Sequence, residues 1–271
     1  MTTDIAGLSE IVATVDAVLI DQFGVLHDGR TAFPDTVECL DHLSAASIGV
    51  AALSNSGKRS SLNVARLARM GFPATLFRSV ITSGELAHAR IAAWLAHGQL
   101  RPDTPVAVIS RDGDLSMIEG LPLRPVGLDR APELLIIAAC EPETRSLESY
   151  LQDLRPLARA RVPALCINPD LRIYANGIAA FGPGLLAESY SAFGGAVEML
   201  GKPGQEMFQA GLDALGGVRP GRCLMIGDSP EHDIAGAKAA GCQTLLISSG
   251  VQAGTDRAGA EADYRMERLR W

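Results

Sequence analysis

The chain has 271 residues, 47% apolar and 20% charged, enough for one large or two ordinary folded domains and unlike a disordered composition. Its formal charge of −7 includes no basic block, which excludes nucleic acid and anionic membrane as natural partners. No apolar run approaches the ~18–20 residues of a membrane span, the N-terminus has no signal-peptide pattern, and the five scattered cysteines form no C-x-x-C pair, so the expected compartment is a reducing cytoplasm.

Strand-like and helix-like segments alternate along the chain, which predicts an α/β protein with a parallel sheet. The first strand, Ala17–Ile20, is a short apolar run ending in Asp21, followed by a turn with Gly24, His27, Asp28 and Gly29. Ligands in open α/β sheets bind beyond the carboxyl ends of such strands, so Asp21 faces a crevice as a nucleophile or metal ligand, or else caps a turn. Val37, Leu40 and Leu43 give a helix up to about Ala46. The strand Ile48–Leu53 then runs into Ser54-Asn55-Ser56-Gly57, ahead of a helix from about Ser60 to Met70. Lys58 and Arg59 beside that helix start are either phosphate-recruiting or solvated charges. A strand over 79–83 and a helix over 85–95 follow.

Arg101-Pro102-Asp103-Thr104-Pro105 reads as a linker. Beyond it lies a second α/β set, with strands over 106–109, 134–139 and 164–167 and a helix over 144–160. Asn168-Pro169-Asp170 follows, with Asp170 read as a turn former, and Gly177 to Gly184 reads as the exit of the set. Residues 188–200 are weakly helical. Gly201-Lys202-Pro203-Gly204 opens onto a helix over 206–215. The strand over 222–226 ends in Gly227-Asp228-Ser229-Pro230-Glu231-His232-Asp233, and a helix continues to Ala240 with Gly241 as its C-cap. A strand over 243–247 runs into the polar loop Ser248-Ser249-Gly250-Val251.

Four polar clusters thus follow strands or open helices: Asp21, Ser54-Asn55, Lys202, and Asp228 with Asp233. Together they suit phosphoryl transfer, which depends mainly on positioning and charge stabilisation. Asp21 would attack phosphorus, Ser54 would donate to a phosphoryl oxygen, and Lys202 would steady both groups. Three converging aspartates repel one another unless a hard cation such as Mg²⁺ joins them.

In this order the clusters resemble the four motifs of the haloacid dehalogenase superfamily, in its class IIA phosphatase-like branch of nitrophenylphosphatase-like and sugar-phosphatase-like members. The resemblance covers nearly the whole chain. It implies a Rossmann-like, doubly wound parallel sheet in two parts, 1–102 and 183–271, with a smaller α/β cap of type IIA over 103–182. It also implies Asp21 as nucleophile, and Ser54, Asn55, Ser56 and Lys202 as phosphate contacts. The metal ligands would be Asp21, the backbone carbonyl of Phe23, Asp228 and Asp233, with Asp233 either a ligand or an orienting partner. The substrate would be a small phosphorylated metabolite, and relatives that pair through their caps suggest a homodimer by analogy.

One position departs from the motif. Hydrolysing members usually carry a second Asp two residues after the nucleophile, and here that residue is Phe23. A phenyl ring cannot transfer a proton, and general acid–base catalysis contributes roughly 10²–10⁴-fold. His27 is the first candidate to substitute, with Asp28, Glu231 and His232 behind it; the alternative for His27 is a structural, hydrogen-bonded imidazole. Three functions follow: a Mg²⁺-dependent phosphatase, a hydrolase of the same fold acting on another bond, and a catalytically weak phosphate-binding or regulatory protein.

Overall fold

The computed structural model describes residues 2–175, 177–250 and 261–271; Val251, at the end of the last expected polar loop, lies outside them. In chain order the elements are β1 (Thr3–Asp4), β2 (Ala17–Asp21), α1 (Thr36–Ala45), β3 (Gly49–Ser54), α2 (Ser60–Arg69), β4 (Ser79–Thr82), α3 (Ser83–Ala96), β5 (Thr104–Ile109), β6 (Leu123–Val126), β7 (Leu134–Ile137), α4 (Leu147–Arg159), β8 (Ala164–Cys166), β9 (Arg172–Ala175), β10 (Ile178–Phe181), α5 (Pro183–Ala192), β11 (Val197–Met199), α6 (Gln205–Ala214), β12 (Cys223–Gly227), α7 (Ala235–Ala239), β13 (Gln243–Ile247) and β14 (Tyr264–Met266). Among the described residues no helix is long and apolar enough to cross a membrane. All five cysteines are buried and unbridged.

The chain divides into two compact units. The first comprises Met1–Ser54, Ser60–Ile81 and Lys202–Trp271. Its sheet has the order β1-β14-β13-β12-β2-β3-β4, with β12, β2 and β3 adjacent and parallel. Strand side chains alternate between faces, and helices cover both. Val18 and Ile20 of β2, with Val50 and Ala52 of β3, enter one core with Cys39, Leu40 and Leu43 of α1 and Leu67 of α2. Leu19 and Leu53 point the other way, to α6, where a Cβ on Gly211 would sit 2.7 Å from Leu19 Cδ2. The alternation of elements predicted the parallel α/β sheet, and its doubly wound form is the one the resemblance implied.

The second unit comprises Asn55–Arg59 and Thr82–Gly201. Its sheet has the order β11-β8-β7-β5-β6, accompanied by the antiparallel pair β9–β10. It is wider than the 103–182 expected, because neighbouring elements bury their apolar faces in it. Ala87 and Ile91 of α3 share a core with Val106, Ile136 and Leu165. Leu186, Ala187 and Tyr190 of α5 share the opposite core with Leu135 and Ile137. The weakly helical reading of 188–200 is half right: α5 stops at Ala192, and β11 then pairs with β8. A strand outweighs weak helix propensity there because its backbone groups complete the sheet edge.

Candidate active site

In the first unit, Asp21 ends β2, Ser54 ends β3, and Asp228 follows β12 directly. Parallel neighbouring strands gather their carboxyl ends on one edge, so residues 33 and 207 positions from Asp21 in sequence arrive beside it. After Asp228 the chain turns through one π-helical turn, Pro230–Ile234, rather than entering an ordinary helix. Single π turns carry a residue off the regular helical face and are frequent at functional sites. Here the turn directs Asp233 back toward β12, where the Ser229 N–H donates to its Oδ2 at 3.0 Å.

Oxygens of Asp21, Asp228 and Asp233 lie within 4.8 Å of one another. Lys202, 3% exposed, reaches into this group from the start of the final segment. Its Nζ donates to Asp21 Oδ1 at 2.6 Å and to Asp233 Oδ1 at 2.7 Å. Burial raises the Asp21 carboxyl to about 7, opposed by the Lys202 charge and reinforced by Asp233. Burial also works against the Lys202 charge, but Asp21 and Asp233 outweigh it and hold the ammonium above its ordinary value. Backbone approaches closely on three sides. A Cβ on Gly24, whose φ is +88°, or on Gly250 would overlap Asp228, and one on Gly227 would overlap Asp233. Three hard carboxylates, one lysine and bare backbone around Asp228 fit a small divalent cation bound through oxygen.

Asp21, Lys202, Asp228 and Asp233 are therefore brought together as the motifs suggested, with Ser54 at the end of the next strand. Asn55 and Ser56 continue from Ser54 into the second unit, where Asn55 Nδ2 donates to Asp170 Oδ1 at 2.9 Å. Arg59 is held there as well, its guanidinium forked onto Glu85 at 2.8 Å on both sides, which argues against phosphate recruitment.

The substitutes for the acid absent at Phe23 fare less well. His27 is 1% exposed, and its Nδ1 accepts from the Gly29 N–H at 3.0 Å. Burial, with the Arg66 cation adding and Asp28 opposing, lowers its pKa to about 4. A neutral imidazole whose Nδ1 is already an acceptor is poorly suited to protonate a leaving group at pH 7, so the geometry favours the structural reading of His27. Asp28 accepts from the Thr31 and Arg30 N–H groups, both at 2.8 Å, and those bonds lower its pKa, which is the wrong direction for an acid. His232 sits in the π turn, where its backbone N–H and its Nδ1 both meet Ser229 Oγ.

Motif reading missed Ser229, Gly250 and Arg66. Arg66, from α2, donates to the Gly29 carbonyl at 3.0 Å and lies beside Phe23 at that corner. Nothing in its local sequence marks it; only the fold carries α2 to this loop.

A family model described as haloacid dehalogenase-like hydrolase matches residues 18–123, and a HAD-hydrolase-like model matches 199–270. Chronophin from Bos taurus is 30% identical over 91% of this chain and 85% of its own length. The chain belongs to the haloacid dehalogenase-like hydrolases. Within that family, a hydrolase from Brucella suis 1330 superposes with a TM-score of 0.88 at 26% identity, covering 98% of this chain and 99% of its own. Glycerol phosphate phosphatase from Mycobacterium tuberculosis, solved with calcium, gives 0.68 at 26% identity over 89% of this chain and 68% of its own; it has also been solved with magnesium. The hydrolase fold and the class IIA branch expected from the four motifs are thus borne out.

Proposed function

We propose that the chain is a Mg²⁺-dependent phosphatase of small phosphorylated metabolites, with Asp21 as nucleophile. The Lys202 ammonium held between Asp21 and Asp233 carries this reading. Asp21 attacks phosphorus, forming a bond from its carboxylate oxygen as the bond to the leaving oxygen breaks. Water then hydrolyses the aspartyl-phosphate, releasing phosphate and restoring Asp21. Lys202 favours the ionised nucleophile and offers positive charge to the transferring group. Ser54, Asn55 and Ser56 donate to phosphoryl oxygens. Asp21, Asp228 and the Phe23 carbonyl would hold the metal. Asp233, with each oxygen already accepting a hydrogen bond, serves chiefly to orient Lys202 and the Ser229 turn. Mg²⁺ in that position neutralises phosphate charge and favours the ionised form of Asp21. The magnesium complex of the M. tuberculosis phosphatase supports this choice of cation.

Phe23 places a condition on the substrate. With no carboxyl there to protonate the leaving oxygen, esters with weakly basic leaving groups should react far better than alkyl phosphates. The same residue favours a second reading, a phosphate-binding protein with little turnover. The test is kcat/KM for p-nitrophenyl phosphate and for an alkyl phosphate, with Mg²⁺ and with chelator, in wild type, Asp21→Asn and Phe23→Asp. Asp21→Asn should lose about 10³-fold or more. Phe23→Asp should raise alkyl phosphate turnover by roughly 10²-fold. Metal-independent activity that survives Asp21→Asn would sink the mechanism, and wild type inert toward both esters would favour the binding protein.

A further inference from the structure

We propose that Asp170 is a positioning residue that fixes the Asn55 carboxamide for phosphate binding; it presupposes the phosphate contact assigned to Asn55 above. Asn55 is 6% exposed, so its amide is ordered by protein rather than by solvent. Its Nδ2 donates to Asp170 Oδ1 at 2.9 Å. An ionised carboxylate only accepts, so the amide nitrogen must face Asp170, and the flip of the carboxamide is determined by chemistry. On its other side the amide oxygen lies against Gly201, where an added Cβ would stand 2.7 Å from Asn55 Oδ1 and 2.6 Å from Ser83 Oγ. Gly201 has φ +117°, so it is glycine for conformation and for space. Asn55 is thereby clamped on both sides, immediately after Ser54 in the chain.

Asp170 is itself held rigidly. Its N–H donates to Asn168 Oδ1 at 3.1 Å, and its carbonyl accepts from the Gly184 N–H at 3.0 Å. A Cβ on Gly182 would overlap the Asp170 carbonyl, and one on Gly184 would overlap that of Pro169. The Asn-Pro-Asp turn and the two glycines at the start of α5 thus act as one support for a single carboxylate. An amide NH₂ has two donors. Anchoring one on a charged acceptor directs the second along a defined line and polarises it, as suits a donor to a phosphoryl oxygen. Sequence alone left Asp170 as a turn former; the structure shows it doing that with its backbone while its side chain serves Asn55.

The test measures the inhibition constant of orthophosphate, with kcat and KM for p-nitrophenyl phosphate, in wild type, Asp170→Ala, Asp170→Asn, Asn55→Ala and the Asp170→Ala/Asn55→Ala double variant. Asp170→Ser replaces Asp170→Ala if the latter fails to fold. Asp170→Ala should weaken orthophosphate about tenfold, the size of one hydrogen bond to a charged group. Its KM should rise more than its kcat falls, and Asp170→Asn, which keeps an acceptor, should recover most of the loss. In the Asn55→Ala background Asp170→Ala should change nothing further. The inhibition constant and KM, unlike kcat, do not depend on the fraction of folded protein, so a mere loss of folded protein leaves those two unmoved. Wild-type constants in Asp170→Ala, or an undiminished effect in the Asn55→Ala background, would overturn the proposal. Wild type that fails to bind orthophosphate in calorimetry would overturn it together with the phosphatase reading; binding that Asp170→Ala leaves intact would overturn it alone.

Discussion

Two polar corners of the first unit are equally buried and behave in opposite ways. Around Lys202, burial is answered by opposite charge: the ammonium lies between Asp21 and Asp233 and stays protonated. At His27 the one opposing charge, Asp28, is outweighed by burial. The Arg66 cation acts in the same direction as burial, and the imidazole is held neutral with its pKa near 4. Its Nδ1 is occupied by the Gly29 N–H, so the ring proton sits on Nε2, a buried atom with no partner among the described residues. Burial alone therefore does not mark a functional group. The sign and nearness of the neighbouring charge decide whether the group keeps its charge, and only the Lys202 corner can hold the charges that phosphoryl transfer needs.

The largest expected effect comes from emptying the charged corner. Lys202→Met removes the counter-charge from two buried carboxylates and should cost about 3–5 kcal/mol in denaturant unfolding, besides activity. Lys202 lowers the Asp21 pKa, so its loss raises that pKa further. The destabilisation should accordingly shrink as pH falls and the carboxylates protonate. Unchanged stability at pH 8 would mean the corner is more hydrated than its burial indicates.

His27 gives the next effect. The folded imidazole, near 4, binds its proton less tightly than the unfolded one at 6.5. Unfolding therefore takes up a proton between those values, so this contribution is complete above 6.5 and is lost as pH drops toward 4. His27→Asn retains an acceptor for the Gly29 N–H and should flatten the stability profile in that window by up to about 3 kcal/mol. An unaltered slope would locate the acid sensitivity elsewhere. The smallest effect separates burial from charge at the same corner. Arg66→Gln should raise the His27 pKa, followed by NMR titration, but by less than half of its displacement, because burial is the larger cause. A full return to 6.5 would reverse that ranking.

Much of this protein was legible in one dimension. Alternating apolar strands and amphipathic helices determine an α/β sheet because period two and period 3.6 bury different faces. Strand-end carboxylates at Asp21 and Asp228 predict a shared edge, because parallel strands gather their carboxyl ends. Lys202 was readable from its glycine- and proline-flanked loop. What tertiary structure alone decided were matters of neighbourhood. Residues 83–96 and 183–199 joined the second unit because their apolar faces found its two cores, which no local propensity records. His27 became a neutral, structural imidazole because Arg66 arrived from α2 and solvent was excluded. Asp170 acquired a task through Asn55, 115 residues away in sequence. Composition and spacing determine which side chains can carry charge and where strands end; desolvation and the identity of the facing group depend on contacts distant in the chain, and those settle what each side chain does.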